Sequence, residues 1–143
     1  MTSDKGKVTS IGGVFVKCKD RETLVKWYRE QLGFPYDGYG ASFPFRDDKN
    51  PDERGYNVWG PFKDDTEYFK PSTKEFMVNL RVDDLDALLV KLEAAGIKQV
   101  GEKEEYDYGK FAWIVDPEGT KIELWEQIGP VPDEGPEPDC GDE

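Results

Sequence analysis

Glu123 is the residue whose placement could do chemistry most directly. It sits between Lys121 and Trp125 at every-other-residue spacing, so in an extended strand all three share one face and the carboxylate lies beside an indole. Earlier stretches offer it partners of the same spacing: Met77, Asn79 and Arg81 in one run, Phe15 and Lys17 in another, with Asn57, Trp59 and Trp113 on further apolar stretches. A carboxylate among aromatic rings suits a cationic ligand, which aromatic faces attract by roughly 0.5 to 2 kcal/mol each. Lys17 and Arg81 pull the other way, toward an anionic or carboxylate-bearing ligand, with Arg81 able to grip it through a bidentate fork. Glu123 is also the candidate catalytic residue, as a general base with Arg81 polarising a carbonyl. The competing bland reading is a solvated face with an Arg81 to Glu123 ion pair contributing about 0 to 1 kcal/mol. Three tryptophans, Trp59, Trp113 and Trp125, are costly to leave in water and favour a cavity.

The elements that must position these residues follow from periodicity. Lys110 to Val115 and Lys121 to Glu126 read as two antiparallel strands joined by a turn at Asp116-Pro117-Glu118-Gly119, where Pro117 presets φ and Gly119 takes the left-handed conformation. Ile11 to Cys18 is an alternating strand whose Val14, Val16 and Cys18 face inward. Asp20 then caps a helix in which Leu24, Trp27, Tyr28 and Leu32 form the apolar stripe and Gly33 ends it. Phe34 to Arg46 reads as two short strands and Tyr56 to Gly60 as another. The pattern then restarts: Glu75 to Val82 alternates, Asp83 or Asp84 caps a helix carrying Leu85, Leu88, Leu89 and Leu92, and Gly96 ends it. Asp20 and Asp84 are 64 apart and Gly33 and Gly96 are 63 apart, the mark of an internal duplication. Tyr106 to Gly109 reads equally as a lip with Gly109 as its hinge and as an ordinary loop.

Composition bounds what such a chain can be. At 143 residues it makes one domain, or two halves sharing a core. The absence of a long apolar run or a secretory leader predicts a cytoplasmic protein with no membrane partner. Cys18 and Cys140 make no disulfide framework. Of the net charge of -12, half falls in residues 129–143, which hold four prolines and no Lys or Arg. That segment is expected to be a disordered acidic tail, and residues 1–7 a flexible N-terminus. The remaining body is acidic too, which argues against nucleic acid as a partner.

Four stretches together resemble the vicinal oxygen chelate superfamily, the glyoxalase, bleomycin-resistance and extradiol-dioxygenase group: Ile11-Gly-Gly-Val-Phe-Val-Lys-Cys-Lys-Asp20, Trp27-Tyr-Arg-Glu-Gln-Leu-Gly-Phe34, Phe76-Met-Val-Asn-Leu-Arg-Val-Asp-Asp84 and Asp116-Pro-Glu-Gly-Thr-Lys-Ile-Glu-Leu-Trp125. The resemblance implies an α+β fold in which two tandem βαβββ modules, 8–70 and 74–128, form incompletely closed barrels around a cleft within a single domain of residues 8–128. It implies a small-molecule ligand and a homodimer. It also implies four metal-binding positions, carried over as Gly13, about Asn57, Met77 and Glu123, of which only Glu123 is an ordinary ligand; the chain has no histidine. The expectation is therefore a metal-free, cofactor-free binding protein of the bleomycin-resistance type, its ligand touching Phe15, Lys17, Asn57, Trp59, Met77, Asn79, Arg81, Trp113, Glu123 and Trp125. The rival expectation is a lyase or isomerase of that superfamily acting on a small oxygenated substrate.

Overall fold

The computed structural model describes residues 5–36, 38 and 40–129; the expected acidic tail lies outside them apart from its first residue. The element order is β1 (Val8–Cys18), α1 (Arg21–Leu32), β2 (Ala41–Arg46), β3 (Arg54–Lys63), β4 (Phe76–Val82), α2 (Leu85–Ala94), β5 (Glu104–Tyr106), β6 (Gly109–Val115) and β7 (Lys121–Gln127). This mixed α+β arrangement falls into two compact units, residues 13–68 and residues 5–12 with 69–129, so β1 is divided at Gly12 and Gly13. The strands are hydrogen-bonded in the order β2-β3-β1-β4-β7-β6-β5, with β1 shared.

Both helices start where a carboxylate can satisfy an orphan amide. Asp20 accepts from Thr23 N and Asp84 from Ala87 N, and Gly33 closes α1 at φ 71°. At α2 the last helical residue is Ala94, and Gly96, at φ 82°, follows the cap residue Ala95. The Glu126 carboxylate adds a second acceptor at the start of α2, taking the Leu85 N–H at 2.7 Å.

In the unit of residues 5–12 and 69–129, the α2 stripe packs on one face of the sheet. Val82, Leu85, Ala112 and Leu124 are its buried centre, with Leu80, Leu88, Leu89, Leu92, Ile114 and Ile122 around them. Full burial of Leu85 and Leu124 stabilises by about 1.5 to 3 kcal/mol each. The β4 and β7 strands are parallel, with Asn79 opposite Glu123 and Arg81 opposite Trp125; β6 and β7 form the antiparallel hairpin, with Trp113 opposite Glu123 and Phe111 opposite Trp125. The hairpin turn is held by Asp116, whose side chain accepts from Glu118 N and Thr120 N, and by Gly119 at φ 88°.

In the unit of residues 13–68, β3 runs parallel to β1 and antiparallel to β2. Two expectations change here. The buried residue of α1 is Val25, while Trp27 and Leu32 are 52% and 56% exposed, so the packed face is rotated from the predicted stripe. The first of the two short strands predicted in Phe34 to Arg46 is reduced, among the described residues, to a single bridge between Tyr36 and Ala41. Pro35 removes a ladder donor there, and Phe34 is instead drawn into ring contacts with Tyr28, Phe43 and Trp59.

Candidate functional site

Alternation places Met77, Asn79 and Arg81 of β4, Lys121, Glu123 and Trp125 of β7, and Phe111 and Trp113 of β6 on the sheet face opposite α2. The strand register sorts them into rows. In the central row, Glu123 is 4% exposed and accepts two hydrogen bonds: Asn79 Nδ2 donates to Oε1 at 2.6 Å and Trp113 Nε1 donates to Oε2 at 3.1 Å. A buried carboxylate costs several kcal/mol in lost hydration, and these donors, one on each neighbouring strand, offset part of it.

The next row is aromatic. The Arg81 guanidinium lies 4.6 Å from the Trp125 ring centroid and donates to Gln127 Oε1, while the Phe111 ring, from the neighbouring strand on the other side, stacks with Trp125 at 6.1 Å and 7°. This is a cation set against an indole, worth about 0.5 to 2 kcal/mol. Gly109 makes the row possible, because a Cβ there would stand 2.6 Å from Trp125 Nε1. Its role is thus close approach within β6, which gives a physical reason for glycine other than the hinge expected from the sequence. On the other side of the central row, Lys121 is 6% exposed, and its Nζ lies 5.9 Å from the Trp113 ring. Desolvation holds its amine below the ordinary lysine range, against a smaller upward pull from Glu123.

Asn79 is 1% exposed and its Oδ1 has no hydrogen-bond partner among the described residues. That oxygen is directed at the backbone of Gly12, where an added Cβ would come within 2.0 Å of it. The contact is of the weak Cα–H···O kind, and it requires glycine at position 12.

Six of the sequence-predicted residues, Met77, Asn79, Arg81, Trp113, Glu123 and Trp125, thus come together on one face. The others, Phe15, Lys17, Asn57 and Trp59, belong to the unit of residues 13–68. Trp59 pairs with Val14 in the parallel register and packs against Tyr28 of α1 at 4.3 Å, so it sits under that helix and not on the mixed face; Asn57 shares its alternation. Phe15 lies on the other face, edge-on to Phe62 and beside Gly60. Applying the 64-residue offset between the two caps, Asn79 corresponds to Phe15, and Phe15 pairs with Gly60. Gly60 therefore replaces Asn57 as the counterpart of Glu123. Sequence spacing alone missed this because the loop before β3 hides its register.

The four positions that the resemblance marks for a metal now supply Gly13, Gly60, the buried thioether of Met77 and one carboxylate already holding two donors. Among the described residues, no group of three or more His, Cys, Asp or Glu is placed to hold a metal ion. This donor set does not fit a hard divalent ion. Lys121 is the site residue that sequence reasoning left out of its candidates; its alternation with Glu123 was the available signal.

Comparison with known proteins agrees on the architecture. The glyoxalase-like domain family matches residues 13–125. A variant of the methylmalonyl-CoA epimerase from Streptomyces coelicolor, in complex with 2-nitronate-propionyl-CoA, superposes with a TM-score of 0.63 at 15% identity, covering 86% of this chain and 100% of that one. Methylmalonyl-CoA epimerase from Mycobacterium tuberculosis gives 0.54 at 19% identity, covering 91% and 94%. A glyoxalase/bleomycin resistance protein/dioxygenase superfamily member from Vibrio splendidus 12B01 gives 0.50 at 15% identity, covering 85% and 100%. No curated protein matches the sequence. At these identities the structural likeness establishes the fold alone.

Proposed function

The chain belongs to the glyoxalase-like domain family, and from that premise we propose that it binds a small organic molecule, without a metal, on the sheet face built from Met77, Asn79, Arg81, Trp113, Glu123 and Trp125. One observation carries this reading: a buried carboxylate, anchored by Asn79 and Trp113, stands at the centre of a face whose next row sets a guanidinium on an indole. A face that served packing alone would be apolar, since replacing buried charges with apolar groups of similar volume is often neutral or stabilising. A few fixed polar groups among aromatic and apolar side chains are what small-molecule sites are made of. Glu123 suits a cationic or N–H-bearing group and Arg81 a carboxylate or phosphate, so the ligand classes to examine are amines, carboxylates and acyl-CoA compounds, the last because structural neighbours include methylmalonyl-CoA epimerases.

The rival reading, an isomerase or lyase acting on a small oxygenated substrate, assigns Glu123 the role of base. Both Glu123 oxygens accept hydrogen bonds from buried donors, which stabilises the carboxylate as an anion; this favours holding a ligand over taking up a proton. A homodimer is part of the proposal, checked by sedimentation. The functional test is a ligand panel read by the fluorescence of the buried Trp113 and Trp125. Saturable quenching that weakens in both Arg81→Ala and Glu123→Gln supports the proposal, and a panel that leaves the emission unchanged argues against it.

A further inference from the structure

We propose that the tyrosine pair Tyr106 and Tyr108 is a subsite for a flat nitrogen heterocycle bearing N–H donors, of the guanine type, with Glu104 accepting those donors. The inference goes beyond the reading above: it adds an exposed station at the outer end of the same sheet face and requires no contact with Glu123. Strand pairing sets the face. Glu104 stands opposite Phe111 and Tyr106 opposite Gly109, so both share the side of β6 on which Phe111 meets Trp125. The centre of that face is buried, whereas its end on β5 is open, with Tyr106 47% and Tyr108 55% exposed.

This open end is an ordered surface. The two tyrosine rings stack on each other at 5.4 Å and 6°. Phe111 backs both, 6.1 Å from Tyr106 and 5.8 Å from Tyr108, with its plane tilted to each. The Tyr106 hydroxyl donates to Glu104 Oε1, which fixes the direction of its ring. β5 is held from its other side, where Lys103 pairs with Glu105 at 2.8 Å and both Lys103 and Lys110 reach Asp86 of α2. Rings already ordered lose little conformational freedom when a third ring stacks on them, and offset stacking is the arrangement aromatic faces favour.

Charge selects the ring. Glu104 lies at the edge of the stack, and no described residue donates to its Oε2. A carboxylate accepts N–H donors and repels anions, and Asp107 in the adjoining turn adds a second negative charge, while the nearby lysines are engaged with Asp86 and Glu105. Guanine carries two N–H donors side by side on one edge, the pattern a carboxylate accepts. A neutral base therefore fits this end of the face, and a nucleoside phosphate is disfavoured.

The test titrates the whole protein with guanosine and with caffeine, a purine that has no N–H, and reads the ring resonances of Tyr106 and Tyr108 by NMR. Guanosine is expected to shift both rings saturably and to bind about tenfold more tightly than caffeine, the difference a charge-assisted hydrogen bond makes. Tyr108→Ala, which removes an exposed side chain, should weaken guanosine about tenfold or more. Glu104→Gln should cut the preference over caffeine to about threefold or less. Rings that guanosine leaves unshifted, equal binding of the two purines, or an affinity unchanged in Tyr108→Ala overturns the proposal. Shifts that follow protein concentration in place of guanosine assign the pair to contact between copies of the chain and overturn it as well. A guanosine response that persists when the fluorescence panel is silent supports this subsite and counts against the Glu123 reading alone.

Discussion

Replacing Glu123 by Gln changes one oxygen into an NH2 group at a place where both neighbours are donors. Asn79 Nδ2 faces Oε1 and Trp113 Nε1 faces Oε2, and the indole cannot become an acceptor. The new NH2 must therefore turn to Asn79. Asn79 can answer by rotating its amide, because its Oδ1 has no hydrogen-bond partner among the described residues, but rotation brings Nδ2 against the backbone of Gly12. The net loss is two charge-assisted hydrogen bonds exchanged for ordinary ones plus one crowded contact, which amounts to about 1 to 3 kcal/mol. For a domain of this size that lowers Tm by roughly 3 to 10 °C. Glu123→Ala should cost more, because it leaves two buried donors unsatisfied at about 1 to 3 kcal/mol each. Urea denaturation followed by tryptophan emission measures both. If Glu123→Gln lies within about 0.5 kcal/mol of wild type, or Glu123→Ala is the more stable of the two, the reasoning about this row is wrong.

Gly12→Ala should destabilise by about 1 to 3 kcal/mol, because its Cβ would meet Asn79 Oδ1 and Arg81 Cγ; unchanged thermal unfolding would refute the contact. Lys121→Met should stabilise the protein at neutral pH. Desolvation lowers the folded-state pKa of Lys121, so the penalty is complete below that value and vanishes as pH rises through the ordinary lysine range; the gain over wild type should shrink between neutral and strongly alkaline pH, and a gain that is constant or absent would contradict the assignment. Asp83 accepts the amides of Gly6 and Lys7 at 2.8 and 2.9 Å. Burial pushes its carboxyl up, yet these backbone donors outweigh that and hold it below the usual range. Its contribution is thus present above about pH 4 and lost as pH falls through the lowered value. Asp83→Ala should speed hydrogen exchange at Gly6 and Lys7 by an order of magnitude or more, with α2 unaffected, as NMR would show.

The duplicated pattern was readable because local signals decide it. Asp20 and Asp84 cap their helices through their own side chains, Gly33 takes the left-handed conformation, and the alternation around Glu123 fixes which residues face α2. The carboxylate's setting beside Trp125 follows from period alone, whereas the β4–β7 register, which period does not give, sets Asn79 across from it and Arg81 across from Trp125. What stayed hidden depends on contacts distant in sequence. The rotation of α1 that buries Val25 and exposes Trp27 is set by the ring cluster of Tyr28, Phe34 and Trp59, which no spacing within the helix reveals. Trp59 reads as a cavity residue until the register beside Val14 places it under α1. Alternation puts Lys121 on the face of Glu123, and its burial emerges only with the neighbouring strands in place.

The central claim is that this face binds a small molecule without a metal. The most direct measurement is a thermal-shift titration of untagged, chelator-treated protein against amines, carboxylates, acyl-CoA compounds and small carbonyl compounds, with and without added manganese, iron, nickel or zinc. The account predicts a ligand that raises Tm in the chelated protein, with an effect that added metal does not enlarge and that Glu123→Gln diminishes. A shift that appears only when a metal is supplied, or a stoichiometric metal in the protein as purified, would contradict it.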